Sequence, residues 1–196
     1  SLAALGQRLR QRPGETIERA VVEALTTHES SFFRDGKPFE HLARILPSLL
    51  AARSPGQPLR IWSAACSTGQ EPYSIAMLVS DAVLGRSDGR VEILATDISA
   101  EILERARQGV FTQFEVQRGL PIRSLVKHFR QEGTKWRVAS DLAAMVRFEE
   151  RNLLGELSAL GRFDAIFCRN VMIYFDKPTR DALVERASAF LAAVGG

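Results

Sequence analysis

The sequence predicts a doubly wound α/β domain, and three observations carry that expectation. From Leu59 onward, short apolar runs alternate with helix-patterned segments, the order that builds a parallel sheet with right-handed crossovers. The first two runs lead into a small-residue turn (Cys66 to Gln70) and an acid (Asp97), where open α/β sheets present ligand-binding loops. The composition is that of a globular chain, with 45% hydrophobic and 25% charged residues in 196, which excludes disordered and fibrous classes. A chain of this size buries roughly 70% of its unfolded surface, so its core needs no metal or disulfide staple.

Taken in order, the first 30 residues are expected to be helical, from Leu2, Leu5 and Leu9 and then Ile17, Val21, Val22 and Leu25 after the break at Pro13-Gly14. Arg8, Arg10 and Arg12 make the first piece basic, either as a solvated helix face or as a surface for an acidic partner. Residues 39–52 form a further helix that Ser54-Pro55-Gly56 ends. A strand over Leu59 to Ala65 leads into the turn, and a helix follows from about Glu71 to Leu84 with Pro72 in its first turn. Val91 to Thr96 is the second strand, and Ser99 to Arg107 its helix, with Ser99 as the cap. Val146 to Glu149 and Phe163 to Cys168 are two more strands, and a last helix runs from about Lys177 to Ala193.

Residues 111–144 break the alternation. Glu132-Gly133-Thr134 is expected to turn a hairpin between Val126–Phe129 and Lys135–Val138, in a small inserted subdomain. Ala193-Val194-Gly195-Gly196 reads as a helix stop and the start of another strand, so the domain is expected to continue past Gly196. Cys66 and Cys168 are expected to end the first and fourth long strands, adjacent in the order 3-2-1-4-5, and to stay reduced.

The net charge of +3, from 26 basic and 23 acidic residues, lacks the dense positive footprint of an obligate nucleic-acid binder. Two cysteines and the lack of an apolar run of about 18 residues point to a soluble, cytoplasmic protein rather than a secreted or membrane-spanning one. His28, His41 and His128 lie in separate segments without ligand spacing, so no metal is expected.

The chemistry is expected beyond the carboxyl ends of the strands. A carboxylate at Asp97 can accept both hydrogens of a ribose diol, or it can merely sit at a helix start near Ser99. The turn holds a single glycine, Gly69, and so lacks the dinucleotide fingerprint. Arg151-Asn152-Leu153-Leu154 and Arg169-Asn170 follow the third and fourth strands, and each asparagine suits either an adenine or amino-acid edge or a turn. Val171 to Phe175 is expected to be mostly core, with Tyr174 needing a partner for its hydroxyl if buried.

Four segments together resemble the CheR family of chemotaxis receptor methyltransferases: Thr27 to Asp35, Trp62 to Ser74, Ala95 to Ile98, and Phe163 to Phe175. The resemblance spans about residues 20–194. It implies a Rossmann-like methyltransferase sheet over residues 36–196, a remnant of an N-terminal helical domain and linker over residues 1–35, and a receptor-docking β-subdomain at about 111–144. It further implies S-adenosylmethionine as cofactor, S-adenosylhomocysteine as product, and glutamate side chains of methyl-accepting chemotaxis receptors as substrate. By motif, His28, Ser30, Arg34, Glu71, Asp97, Asn152, Leu153 and Asn170 would meet the cofactor, and Arg34 and Tyr174 would lie near the transferred methyl. His28 and Ser30 stand where the family often has Asn and Thr. The partner would be the cytoplasmic domain of such receptors, with no nucleic acid, no membrane insertion, and the protein a monomer.

Such a transfer needs no general base, because a glutamate of pKa about 4.3 is already ionised at neutral pH. The enzyme's task is alignment and tolerance of partial desolvation. A non-catalytic module that binds the cofactor or a partner is the alternative; RNA methylation is weaker still, as the basic residues are dispersed.

Overall fold

In the computed structural model, residues 29–54, 56–83 and 91–191 are described. The expected helices of the first 28 residues, the basic Arg8–Arg12 stretch, His28 and the final residues 192–196 lie outside them. In chain order the first elements are α1 (Lys37–Ala51), β1 (Leu59–Ala64), α2 (Gln70–Val83), β2 (Val91–Asp97) and α3 (Ala100–Gln108). The insertion follows as β3 (Val110–Thr112), α4 (Gln113–Gln117), α5 (Ile122–His128), β4 (Phe129–Glu132), β5 (Lys135–Val138) and α6 (Ser140–Ala143). The chain then returns through β6 (Val146–Glu150), β7 (Ala165–Cys168) and α7 (Lys177–Ala189).

The four long strands pair in parallel in the order β6-β2-β1-β7. By rank among the long strands this is 3-2-1-4, the expected switch point lying between β1 and β7. β1 and β2 are almost wholly buried, as strands covered on both faces must be. α1 covers the sheet with Phe39, Leu42, Leu46 and Leu50, one helical face at three- and four-residue spacing. α2 buries Tyr73, Ile75, Ala76, Met77 and Val79, and the Tyr73 hydroxyl donates to the Ala106 carbonyl of α3 at 2.9 Å. Ser99 caps α3 by accepting from the Ile102 N–H at 3.3 Å.

The insertion forms a three-stranded antiparallel sheet, β3-β5-β4. The hairpin turns at Gly133 as expected, but its first strand begins only at Phe129. Val126, Lys127 and His128 belong to α5, not to a strand. Pro121 starts that helix, and Leu125 and His128 are buried one turn apart, whereas a strand would alternate. Phe111 and Phe129 meet the ring of Phe32 edge-on at centroid distances of 5.0 and 5.6 Å, so the segment before α1 is wedged between the insertion and the main core.

Three other expectations are corrected at their edges. Phe163 makes an isolated bridge to Leu191 and β7 begins at Ala165. α7 ends at Ala189, its Phe190 cap donating back to Ala187. Residues Val171 to Phe175 are not core: Met172–Tyr174 is a single 3-10 turn with no buried residue, and Ile173 is 73% exposed. Cys168 does end β7, opposite Ala64 of β1, while Cys66 lies two residues beyond β1. Both cysteines are free thiols, and burial pushes the Cys168 thiol up to about 11.

Candidate active site

A cavity of about 430 Å³ opens at the carboxyl ends of β1, β2 and β7. Its walls come from the turn after β1, the residue after β2, the segments after β6 and β7, and the stretch Glu29–Arg34. Its size suits a small-molecule ligand.

The turn after β1 presents Ala65, Cys66 and Ser67 to the cavity, with Ala65 at φ 57° and Ser67 at φ 51°. Left-handed conformations at non-glycine residues need outside support. The Cys66 N–H donates to Thr96 at 2.9 Å and the Ser67 N–H to Asp97 Oδ2 at 2.9 Å, so β2 holds the turn in place. Gly69 serves packing instead: at φ 95°, a Cβ there would lie 3.2 Å from both Ala106 and the Tyr73 ring.

Asp97 is buried at the end of β2 and lines the cavity. Its Oδ1 also accepts from the Ser99 N–H at 3.2 Å, so it is both a helix-start carboxylate and a cavity residue. Glu71, in the first turn of α2, is a second, partly buried carboxylate on the same cavity. Its Oε1 accepts from Ser63 Oγ at 2.8 Å, and its Oε2 lies 3.1 Å from Arg169 Nη1. Burial pushes the Glu71 carboxyl above the ordinary carboxylate value, while the Ser63 bond and the Arg169 charge pull against that rise. Cys66 is raised well above its usual value, by burial first and then by the charges of Asp97 and Glu71.

The structure brings together all the anticipated site residues that it describes. Ser30, Arg34, Glu71, Asp97, Asn152, Leu153, Asn170 and Tyr174 line one cavity, though they come from widely separated parts of the chain. Asn152 also makes a turn, its Oδ1 accepting from the Leu154 N–H at 2.9 Å. Asn170 sits at φ 59°, a conformation asparagine tolerates better than most residues. The Arg34 guanidinium donates to the Glu29 carbonyl at 2.7 Å. Tyr174 is 48% exposed at the cavity wall, so it is not a buried structural tyrosine.

Arg169, beside Asn170 after β7, has a role that only the structure reveals. It pairs with Glu71, donates to the Arg34 carbonyl at 2.6 Å, and reaches Asp35 Oδ2 at 2.6 Å. Glu29, also on the cavity wall, pairs with Arg118 of the insertion at 2.8 Å. Neither partnership has a sequence signal, since they join residues 134 and 89 positions apart. Among the described residues, no helix is long and apolar enough to cross a membrane.

The family described as CheR methyltransferase, SAM binding domain, matches residues 28–196. Chemotaxis protein methyltransferase 1 of Pseudomonas aeruginosa is 40% identical over 200 residues, covering 100% of this chain and 72% of that protein. Chemotaxis protein methyltransferase 2 of the same organism is 44% identical over 201 residues, covering 100% and 69%. The chemotaxis protein methyltransferase of Klebsiella aerogenes is 41% identical over 182 residues, covering 91% and 60%.

Proposed function

This chain belongs to the CheR methyltransferase family, an S-adenosylmethionine-dependent methyltransferase of chemotaxis, and we propose that it esterifies glutamate side chains on the cytoplasmic domains of chemotaxis receptors. The observation that carries the reading is the pair of carboxylates, the partly buried Glu71 and the buried Asp97, on a cavity that Arg34 and Tyr174 also line. The set fits the cofactor: one anion for its ammonium, one for its ribose diol, and apolar surface at Ile98 and Leu153 for its base. When bound, the cofactor supplies an electrophilic sulfonium methyl group.

The remaining work falls to the chain's own residues. Glu71 would hold the ammonium, and Asp97 the ribose hydroxyls, without leaving the backbone bonds that fix it. Ser30, Asn152 and Asn170 would supply further hydrogen bonds at the walls. Arg34 would receive the carboxylate of the incoming glutamate, and Tyr174 would fix its approach at the cavity wall. No residue is asked to remove a proton, because the acceptor is already an anion at neutral pH. The reaction would take place in the cytoplasm, where receptor signalling domains lie.

The experiment is transfer of labelled methyl from S-adenosylmethionine to receptor cytoplasmic fragments. Label is expected in the receptor, released as methanol by mild alkali, and lost when the acceptor glutamates are replaced by alanine. Base-stable label, or equal labelling of the alanine-substituted receptor, would overturn the ester reading. Cofactor binding with no transfer to any receptor fragment would favour a binding module instead.

A further inference from the structure

The backbone from Phe33 to Gly36 is bent more sharply than its sequence would choose. Phe33 sits at φ 49°, Asp35 at φ 65° and Gly36 at φ 57°. For Phe and Asp the left-handed region is unfavourable, and two such residues so close together persist only when neighbouring groups hold them. Local bonds close the bend, from the Gly36 N–H to Phe33 at 2.9 Å and from the Lys37 N–H to Asp35 at 2.6 Å. On its sheet side the bend meets one residue that touches it twice, Arg169. Nη2 of Arg169 donates at 2.6 Å to the Arg34 carbonyl and at 2.6 Å to Asp35 Oδ2. Its Nη1 pairs with Glu71 at 3.1 Å, and the guanidinium carbon lies 5.3 Å from the centre of the Phe39 ring.

We propose that Arg169 is a positioning residue that latches the strained bend Phe33–Gly36 to Glu71, and so sets where Arg34 stands on the cavity wall. A guanidinium suits this place because its planar fork can meet a backbone carbonyl and two carboxylates at once, which an ammonium on a flexible stem cannot do in fixed geometry. Its two Nη atoms are both engaged, Nη1 by Glu71 and Nη2 by the Arg34 carbonyl and Asp35, which suits a scaffolding role. The latch joins residues 134 positions apart, tying the wall that carries Arg34 to the wall after β7. Upstream, Phe33 is pinned separately, its N–H donating to Ser74 Oγ at 3.0 Å, so Arg169 governs the Arg34–Asp35 end in particular. The consequence for turnover rests on the proposed methyl transfer; the latch itself does not.

The test compares wild type with Arg169→Gln, Arg169→Lys and Asp35→Asn in the full chain. Hydrogen exchange without cofactor reads the latch directly. Amides of residues 34–37 are expected to exchange at least tenfold faster in Arg169→Gln, with those of β1 and β2 unchanged. Asp35→Asn removes the charge from one acceptor of three and should give a smaller increase. Steady-state kinetics should then show a raised cofactor KM together with a lowered kcat, each by about tenfold, and Arg169→Lys should recover only part of both. Wild-type exchange in Arg169→Gln, or a lowered melting temperature with KM and kcat of the folded protein unchanged, would overturn the proposal. If Arg169→Gln does not fold, Arg169→Lys decides, and exchange at 34–37 equal to wild type in that variant would also overturn it. A wild-type protein that binds no S-adenosylmethionine would instead count against the proposed function, and leaves the exchange comparison standing.

Discussion

Asp97 Oδ2 accepts the Ser67 N–H at 2.9 Å, so the carboxylate that ends β2 holds the turn that follows β1. One side chain therefore shapes the cavity and faces into it. Asp97→Ala is expected to weaken S-adenosylmethionine binding roughly ten- to a hundredfold, the range for losing charged hydrogen bonds of about 1.5–3 kcal/mol. It should also lower Tm, because the Ser67 and Ser99 N–H groups lose their acceptor. Asp97→Asn keeps an oxygen for only one of those two backbone groups, so it should lower Tm less than Asp97→Ala while still weakening binding. Calorimetric titration beside thermal melts checks this; unchanged affinity in both variants would remove the ribose assignment.

Glu71 predicts a pH dependence of cofactor binding. Burial holds its carboxyl above the ordinary value, so it takes up a proton at a higher pH than an exposed glutamate would. The protonated form is neutral and cannot pair with an ammonium, so affinity should fall as pH falls through that raised value. The folded protein itself shows the opposite sign. In the window between the ordinary and the raised value the native state binds more protons than the unfolded chain, so Glu71's contribution to stability falls as pH rises. Titrations across mildly acidic pH, with Glu71→Gln as the flat control, test the first effect. Thermal melts over the same range test the second.

Tyr174→Phe is expected to lower kcat by several-fold or more while leaving cofactor affinity and Tm nearly unchanged. A half-exposed residue outside the core has little stability to lose, roughly 0.5 kcal/mol at most. Kinetics on receptor fragments would show the split, and wild-type turnover would remove Tyr174 from the reacting centre.

Gly119→Ala is expected to be among the most damaging single-methyl changes. Gly119 sits at φ 85°, and a Cβ there would come 2.1 Å from the Phe32 carbonyl oxygen, a backbone atom that cannot swing aside. Strain and clash together should cost about 2 kcal/mol or more. The damage should reach the cavity, since Phe32 belongs to the segment that carries Ser30 and Arg34. A denaturant melt with wild-type midpoint would contradict this.

Much of the fold was legible because it rests on local rules. Strand runs rich in apolar residues, helices patterned at three and four residues, and Ser99 at a helix start gave the alternation, and the alternation limits the sheet order to a few choices. Val126 to His128 misled because a short run mixing apolar and polar residues carries both periods, and only Leu125 and His128 packing inward chose the helix. Val171 to Phe175 misled because apolar composition does not say which surface a segment faces, and here it lines a cavity wall.

The site divides in the same way. Asp97, Asn152 and Asn170 stand at or just after strand ends that the order of elements already marks, and Glu71 lies in a motif that resembles the family's, so all four were legible as candidates. That Asp97 braces the turn of another strand, that Arg169 fastens a bend 134 residues away, and that Glu29 reaches Arg118 of the insertion were decided only by tertiary structure. The physical reason is that hydrogen bonds and ion pairs act over about 3 Å in space whatever the separation along the chain. Charged residues at 25% of the sequence offer many pairings of equal local merit, and only the packed sheet selects among them.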